Sequence, residues 1–203
     1  MTPRKEERRE GLRLRLPRRI ETKRLVLRPH EPEDEGPFVE FMTNAEATRY
    51  LDFDSEQKTE AGARALLEYV IASYDTADPV FALAVVDRQS GAYLGSCGLA
   101  PLASGDGVQC YYSLLPRYWG WGFATEALAA LLFFAFEELG LERVVSDANA
   151  HNPRGWEVAR TVGMQDEGEV TDEKDIKRHR FALSRRDYLS HSRRMRRREE
   201  TSP

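Results

Sequence analysis

The sequence predicts an α/β (α+β) fold: a mixed, mostly antiparallel sheet of about seven strands carrying about four helices. Three observations predict it. Short β-rich runs bounded by turn-forming residues follow one another from position 80 to 115. Apolar residues at helical spacing mark the stretches around them. A strand, helix, strand order between 108 and 148 puts one parallel pair into a sheet otherwise linked by hairpins. At 203 residues the chain suffices for one domain with appendages and buries a full core without staples.

The domain opens near Ile20. Leu25, Val26 and Leu27 form a short strand ahead of Arg28 and Pro29. Pro32 to Asp34 start a helix reaching about Met42, with acids in the first turn where the helix dipole favours them. A second helix is predicted over Ser55 to Tyr74, with Ser55 as N-cap and Ala63, Leu66, Leu67, Val70 and Ile71 on its buried face. Strands follow at Val80 to Val86 and Ala92 to Leu99, joined by the hairpin loop Asp87 to Gly91. A third, Val108 to Leu115, comes after the turn at Ser104 to Gly107. The helix Thr125 to Leu139 stops at Gly140, and Arg143 to Ala148 reads as the next strand. Asn152, Pro153 and Gly163 frame a helix from Pro153 to Val162 as cap, first position and stop. Strands at Met164 to Val170 and Ile176 to Leu183, joined through Thr171 to Asp175, complete the sheet.

Charge divides the chain into three parts. Residues 1–19 carry +5 and residues 185–203 carry +4, so residues 20–184 carry −13 of the net −4. The ends read as a mobile basic N-terminal arm and an Arg-rich C-terminal tail around an acidic domain. Solvated ends are the simpler reading, and contact with RNA, ribosome or another anionic surface is the functional one. The longest apolar run, Ala127 to Phe136, is far short of the roughly 20 residues that span a bilayer. No secretory h-region precedes the domain, so no membrane partner is expected and the cytoplasm is the expected compartment. The two cysteines, Cys97 and Cys110, have no metal-ligand spacing, and no metal is expected. They face each other if their strands pair, and two reduced core thiols are expected over a disulfide. A homodimer is left open.

The most informative stretch is YYSLLPRYWGWGFATEA, Tyr111 to Ala127. A strand runs into a loop opened by Gly120 and Gly122, and an apolar helix follows at once. Unblocked amides at a helix N-terminus bind an anionic group. A dinucleotide fingerprint needs a third glycine, and a P-loop needs Lys then Ser or Thr after the last glycine, where this chain has Phe123, Ala124 and Thr125. Both fail.

With ETKRLVLRP at Glu21 to Pro29, FEELGLERV at Phe136 to Val144 and NPRGWEVARTVGM at Asn152 to Met164, this loop resembles the GNAT acetyltransferases, in the branch related to ribosomal-protein N-terminal acetyltransferases. The resemblance covers about residues 20–184. It implies a splayed parallel strand pair, acetyl-CoA as co-substrate and an amine as acceptor. The amides of Trp119, Gly120, Trp121, Gly122, Phe123, Ala124 and Thr125 would take the pyrophosphate, the backbone of Leu114 and Leu115 the pantetheine arm, and Asn152 would add a contact compatible with its capping role. Trp119 departs from the Gln or Arg that the family places first in this loop. Trp119 and Trp121 read either as a wall beside the cofactor or as packing, and Glu126 as a structural acid.

The acid/base chemistry of the family is not matched. Its strand carboxylate, its tyrosine seven residues after the Asn and its serine three after it fall here on Gln109, Ala159 and Gly155. A site without a base favours an amine that loses its proton readily: neutralising a lysine-like amine near neutral pH costs about 4.6 kcal/mol against about 1 kcal/mol for an α-amine. The expected acceptor is therefore an α-amine of a peptide or small molecule. His151 and Asp147, just past or at the end of the fifth predicted strand after Ile20, are the candidate bases, while Tyr112 reads as packing. The rival reading is a non-catalytic acyl-CoA sensor or interaction module.

Overall fold

A computed structural model describes residues 14–102, 107–171 and 175–190. It contains one eight-stranded sheet in the order β1-β2-β3-β4-β5-β6-β8-β7. The strands are β1 Ile20–Glu21, β2 Leu25–Pro29, β3 Ala82–Asp87, β4 Tyr93–Pro101, β5 Val108–Leu114, β6 Arg143–Asn149, β7 Gln165–Thr171 and β8 Lys177–Ser184. Only β5 and β6 run parallel; every other neighbouring pair is antiparallel. The eighth strand is the two-residue β1, too short to show an alternating pattern in the sequence.

Four helices, α1 Glu35–Thr43, α2 Glu60–Ser73, α3 Phe123–Phe133 and α4 Pro153–Thr161, cover the sheet. Several boundaries differ from the sequence reading by one or two residues, and two differ by more. The cap of α2 is Thr59, whose Oγ1 accepts from Gly62 N at 3.1 Å, and not Ser55. Asp54 and Gln57 instead close a separate turn by reciprocal bonds of 2.8 and 3.1 Å. That turn lies over the start of α2, where a Cβ on Gly62 would meet Glu56 O at 2.0 Å. At the other site, α3 ends at Phe133 and continues as a π-turn over Phe134–Glu138 before Gly140.

Two hydrophobic cores lie on opposite faces of the sheet. Under α3 and α4 pack Leu25, Leu27, Leu83, Cys97, Cys110, Leu128, Leu131, Val144 and Phe181; under α1 and α2 pack Phe38, Phe41, Met42, Leu67, Val86 and Tyr93. Leu14 is buried in the first core and Leu16 packs against it, so packed chain begins ahead of Ile20. Beyond Ser184 a helical stretch at 185–190 stacks Tyr188 on Phe136, with ring centroids 4.9 Å apart. Both cysteines are free thiols and fully buried, diagonal across β4 and β5 because Cys97 pairs with Tyr112 and Cys110 with Leu99. Burial pushes both thiols upward, Cys110 to about 12. The expected turn at Ser104 to Gly107 and that at Thr171 to Asp175 lie largely outside the described residues, as do most of the two basic ends. Among the described residues, no helix is long and apolar enough to cross a membrane.

Candidate functional site

The loop between β5 and α3 turns on two left-handed glycines, Gly120 at φ 78° and Gly122 at φ 77°. Trp119 N–H closes the preceding turn onto Pro116 O, and Glu126 N–H opens the helical ladder onto Gly122 O. Between them the amides of Gly120, Trp121, Gly122, Phe123, Ala124 and Thr125 meet no acceptor among the described residues. The last three are the ordinary unpaired donors of a helix start, and the glycines add three more ahead of them. Six free amides at the positive end of an 11-residue helix suit an anionic group such as a diphosphate.

Arg24, which the sequence reading did not single out, braces this cradle from the β1–β2 turn. Its Nη1 donates to Trp121 O at 2.9 Å, its Nε donates to Glu126 Oε2 at 2.6 Å, and its guanidinium lies 4.5 Å over the Phe123 ring. A Cβ on Gly122 would stand 3.5 Å from Arg24 Nη2, so guanidinium and loop backbone approach closely. Glu126 also accepts from Thr22 Oγ1 at 2.7 Å and from Arg24 N at 2.9 Å. Burial pulls the Glu126 carboxyl upward, but these hydrogen bonds outweigh it and hold the group below the usual carboxylate range. Glu126 is a structural acid.

Beside the cradle the sheet opens. β5 and β6 pair only at Val108↔Val144 and Gln109↔Val145, although β5 continues to Leu114 and β6 to Asn149. β6 instead stays with β8 along its whole length, from Arg143↔Ser184 to Asn149↔Arg178. Leu115 N–H donates to Leu94 O on β4 at 2.8 Å. Backbone groups alternate sides along a strand, so Leu114 and Tyr112 turn theirs into the gap that β6 has left. Leu115 does not, since its carbonyl also accepts from Tyr118 N at 2.9 Å. The Leu114 carbonyl accepts from Trp119 Nε1 at 2.7 Å, with a second lone pair left over. Trp119 thus closes one wall of the gap, with the Arg154 guanidinium 5.0 Å from its ring. Trp121, 69% exposed, stands open at the loop's crest.

The far wall of the gap is the first turn of α4. Asn152 Oδ1 accepts from Gly155 N at 3.0 Å, so the side chain acts as the cap. It folds so closely over Gly155 that a Cβ there would come within 2.8 Å of Asn152 Nδ2, so a serine at 155 would require this side chain to shift. Ala159 is fully buried in the core beneath α3. Tyr112 OH reaches across from β5 to donate to Gly155 O at 2.8 Å, and Trp156 Nε1 donates to Asn149 O at 3.2 Å.

On the opposite face, toward α1 and α2, polar side chains satisfy one another. Both oxygens of Asp147 accept from Arg180, at 2.7 and 2.5 Å. Arg178, only 4% exposed, donates to both oxygens of Asp52 at 2.6 Å. Ser113 Oγ donates to Ala47 O at 3.2 Å. The last two bonds carry the connection between α1 and α2 across the opening, from β5 to β8. Tyr111 OH lies 3.3 Å from Ser96 Oγ, which lies 3.2 Å from His30 Nε2. Burial is the main force lowering His30 to about 4; Asp34 opposes it and Arg28 adds to it. His151 is exposed past the end of β6, its N–H held by Asn149 Oδ1 at 2.9 Å. Among the described residues no group of three or more His, Cys, Asp or Glu is arranged to hold a metal ion.

Residues 24–165 match the family model of the acetyltransferase (GNAT) domain. The "uncharacterized N-acetyltransferase p20" of Bacillus licheniformis is 24% identical over 173 residues, covering 82% of this chain and 96% of its own. The "uncharacterized N-acetyltransferase YoaA" of Bacillus subtilis is 25% identical over 150 residues, covering 73% and 84%. The crystal structure of a GNAT-family acetyltransferase from Bacillus anthracis superposes with a TM-score of 0.70 at 19% identity, over 83% of this chain and 99% of that one.

Proposed function

The chain belongs to the GNAT family of N-acetyltransferases, and on that premise we propose that it moves the acetyl group of acetyl-CoA directly to an α-amine of a peptide or small molecule. The observation that carries the donor half is the row of six unpaired amides from Gly120 to Thr125 beside the opening between β5 and β6. The amides and helix terminus hold the pyrophosphate, with Arg24 fixing the loop that presents them. Leu114 offers its backbone to the pantetheine arm, and Asn152 holds α4 along the other side. Acetyl-CoA supplies the activated thioester; the protein supplies orientation and a shielded gap in which an amine from the α1/α2 face meets it.

The acceptor half rests on what the side chains do not offer. Gln109, Gly155 and Ala159 provide no acid or base, and Asp147 has both oxygens engaged by Arg180. His151, with its exposed ring at the exit of β6, takes the amine's proton through water. Such an arrangement serves an amine whose neutral form is readily reached near physiological pH. Thiol release from acetyl-CoA, followed with peptides offering either a free N-terminus or only a lysine side chain, tests the reading. The N-terminal amine is expected to react at least about tenfold faster. A strong lysine preference sinks the α-amine assignment, and CoA binding without any transfer across mixed amines favours an acyl-CoA sensor.

A further inference from the structure

We propose that Tyr112 is the catalytic acid that protonates the departing CoA thiolate. The inference rests on the acetyl-CoA reading above, and its own support is the position of one phenol. Tyr112 lies on β5 three positions past the last residue paired with β6, where the two strands have parted. Its side chain extends on the α3/α4 side of the sheet, packed against that core, and its hydroxyl stands 2.8 Å from Gly155 O in the first turn of α4. The phenol therefore bridges β5 and the first turn of α4, the two walls of the gap. The side-chain hydroxyl of Ser146, on β6 just past its last pair with β5, interacts with this phenol and with the Cys110 thiol. Among the described residues of the gap, Tyr112 is the side chain that brings an acidic O–H to both walls.

The two positions at which the family resemblance would place hydroxyl groups hold Gly155 and Ala159 here, and neither supplies an O–H. Ala159 is fully buried, and the Asn152 amide fills the space over Gly155. Tyr112 supplies the missing proton from a different element. As the amine nitrogen bonds to the thioester carbonyl carbon and the C–S bond breaks with its electron pair on sulfur, Tyr112 passes its phenolic proton to the sulfur. The proton shed by the nitrogen passes through water to the exposed His151 ring, and a proton is returned from there through solvent to the phenolate oxygen. The sum is one acetylated amine and one CoA thiol, with Tyr112 restored. Its hydrogen bond to Gly155 O holds the ring across the gap and is exchanged for the sulfur during the step. Burial pushes the phenol above its ordinary value, so it carries its proton at neutral pH.

A hydroxyl aimed at the sulfur also stabilises the thiolate of bound CoA, which gives a readout apart from turnover. The ultraviolet thiolate absorbance of CoA bound to the wild-type protein is titrated with pH and compared with free CoA and with CoA bound to Tyr112→Phe. The bound thiol is expected to ionise at a proton concentration about tenfold higher than free CoA, and Tyr112→Phe is expected to abolish that shift. Turnover in Tyr112→Phe is expected to fall about 100-fold with little change in KM for acetyl-CoA. Wild-type protein whose bound thiol titrates like free CoA overturns the assignment without any variant. So does a shift that survives in folded Tyr112→Phe, or equal weakening of CoA and desulfo-CoA with turnover preserved, which is the mark of a purely structural Tyr112. Wild-type protein that binds no CoA at all overturns the donor reading, and this inference with it.

Discussion

The two faces of the parted strands are built from different materials. On the α3 side, the cradle consists of backbone: six amides from Gly120 to Thr125 without partners, presented by two glycines of positive φ and braced by Arg24. On the α1/α2 side, the surface consists of side chains, and their charges are matched in pairs, Asp147 with Arg180 and Asp52 with Arg178. A backbone cradle recognises a constant chemical group and tolerates change at its side chains. A lattice of paired side chains is altered by a substitution at any member, so the face proposed for the acceptor is defined residue by residue.

The first way to sharpen that contrast is pH, because backbone amides do not titrate and the α1/α2 side holds a buried histidine. His30 ordinarily takes up a proton near 6.5, but in the fold it does so at about 4. Between those values the unfolded chain binds the proton and the folded chain does not, so stability rises with pH through this window. The contribution is complete above the unfolded value and lost as pH falls through the folded one, amounting to about 3 kcal/mol. Urea unfolding across a pH series is expected to show this fall, and His30→Gln is expected to flatten it. Parallel curves for the two proteins would remove His30 as the source.

The donor side breaks at its glycines. A side chain at Gly122 must adopt a left-handed backbone costing about 1–2 kcal/mol; its Cβ would sit in ordinary contact with Arg24 Nη2 at 3.5 Å, and the branches of a valine reach beyond it. Gly122→Val is expected to weaken CoA binding about 30-fold, or about 2 kcal/mol, in calorimetry. Gly120→Ala, with open space around its Cβ, carries the strain alone and is expected to lose about fivefold. If the valine variant binds CoA as tightly as wild type, the amide cradle is not the site.

The same contrast explains what could be read from the sequence. Glycines, a strand and a following apolar helix are local, so the loop with free amides from Gly120 to Thr125 was legible together with most elements of the sheet, whereas the Trp119 amide, expected among the donors, is taken by Pro116 O. Glu126 could be read as a structural acid from its place in a helix's first turn, but the partners that hold it, Thr22 and Arg24, could not. Arg24 was not, because its partners Trp121 and Glu126 lie about a hundred positions away and only the packing of the β1–β2 turn on α3 unites them. Ser55 looked like a cap by composition, yet Thr59 holds the role because Asp54 and Gln57 pair first. The pairs on the acceptor side join β6 to β8 and β8 to the connection between α1 and α2. No spacing in the sequence encodes such contacts.

The smallest expected effect separates the faces most cleanly. Asp52 joins the connection between α1 and α2 to β8 through Arg178, and its own carboxylate is 57% exposed. Water already screens that oxygen pair, so replacing it by an amide removes charge assistance without stripping a buried ion of all its contacts. Asp52→Asn is therefore expected to cost only about 1 kcal/mol of stability. Its effect on function should fall on one side alone. The connection loses its firmest hold on β8 while the hold of Ser113 on Ala47 remains, so the opening loosens from the β8 edge. KM for the amine is expected to rise about threefold to tenfold, with KM for acetyl-CoA unchanged. Steady-state kinetics varying each substrate in turn measures both. A change in the acetyl-CoA constant of the same size would mean that the two faces are mechanically one, because a contact made only on the acceptor side would then be felt by the amides of Gly120 to Thr125.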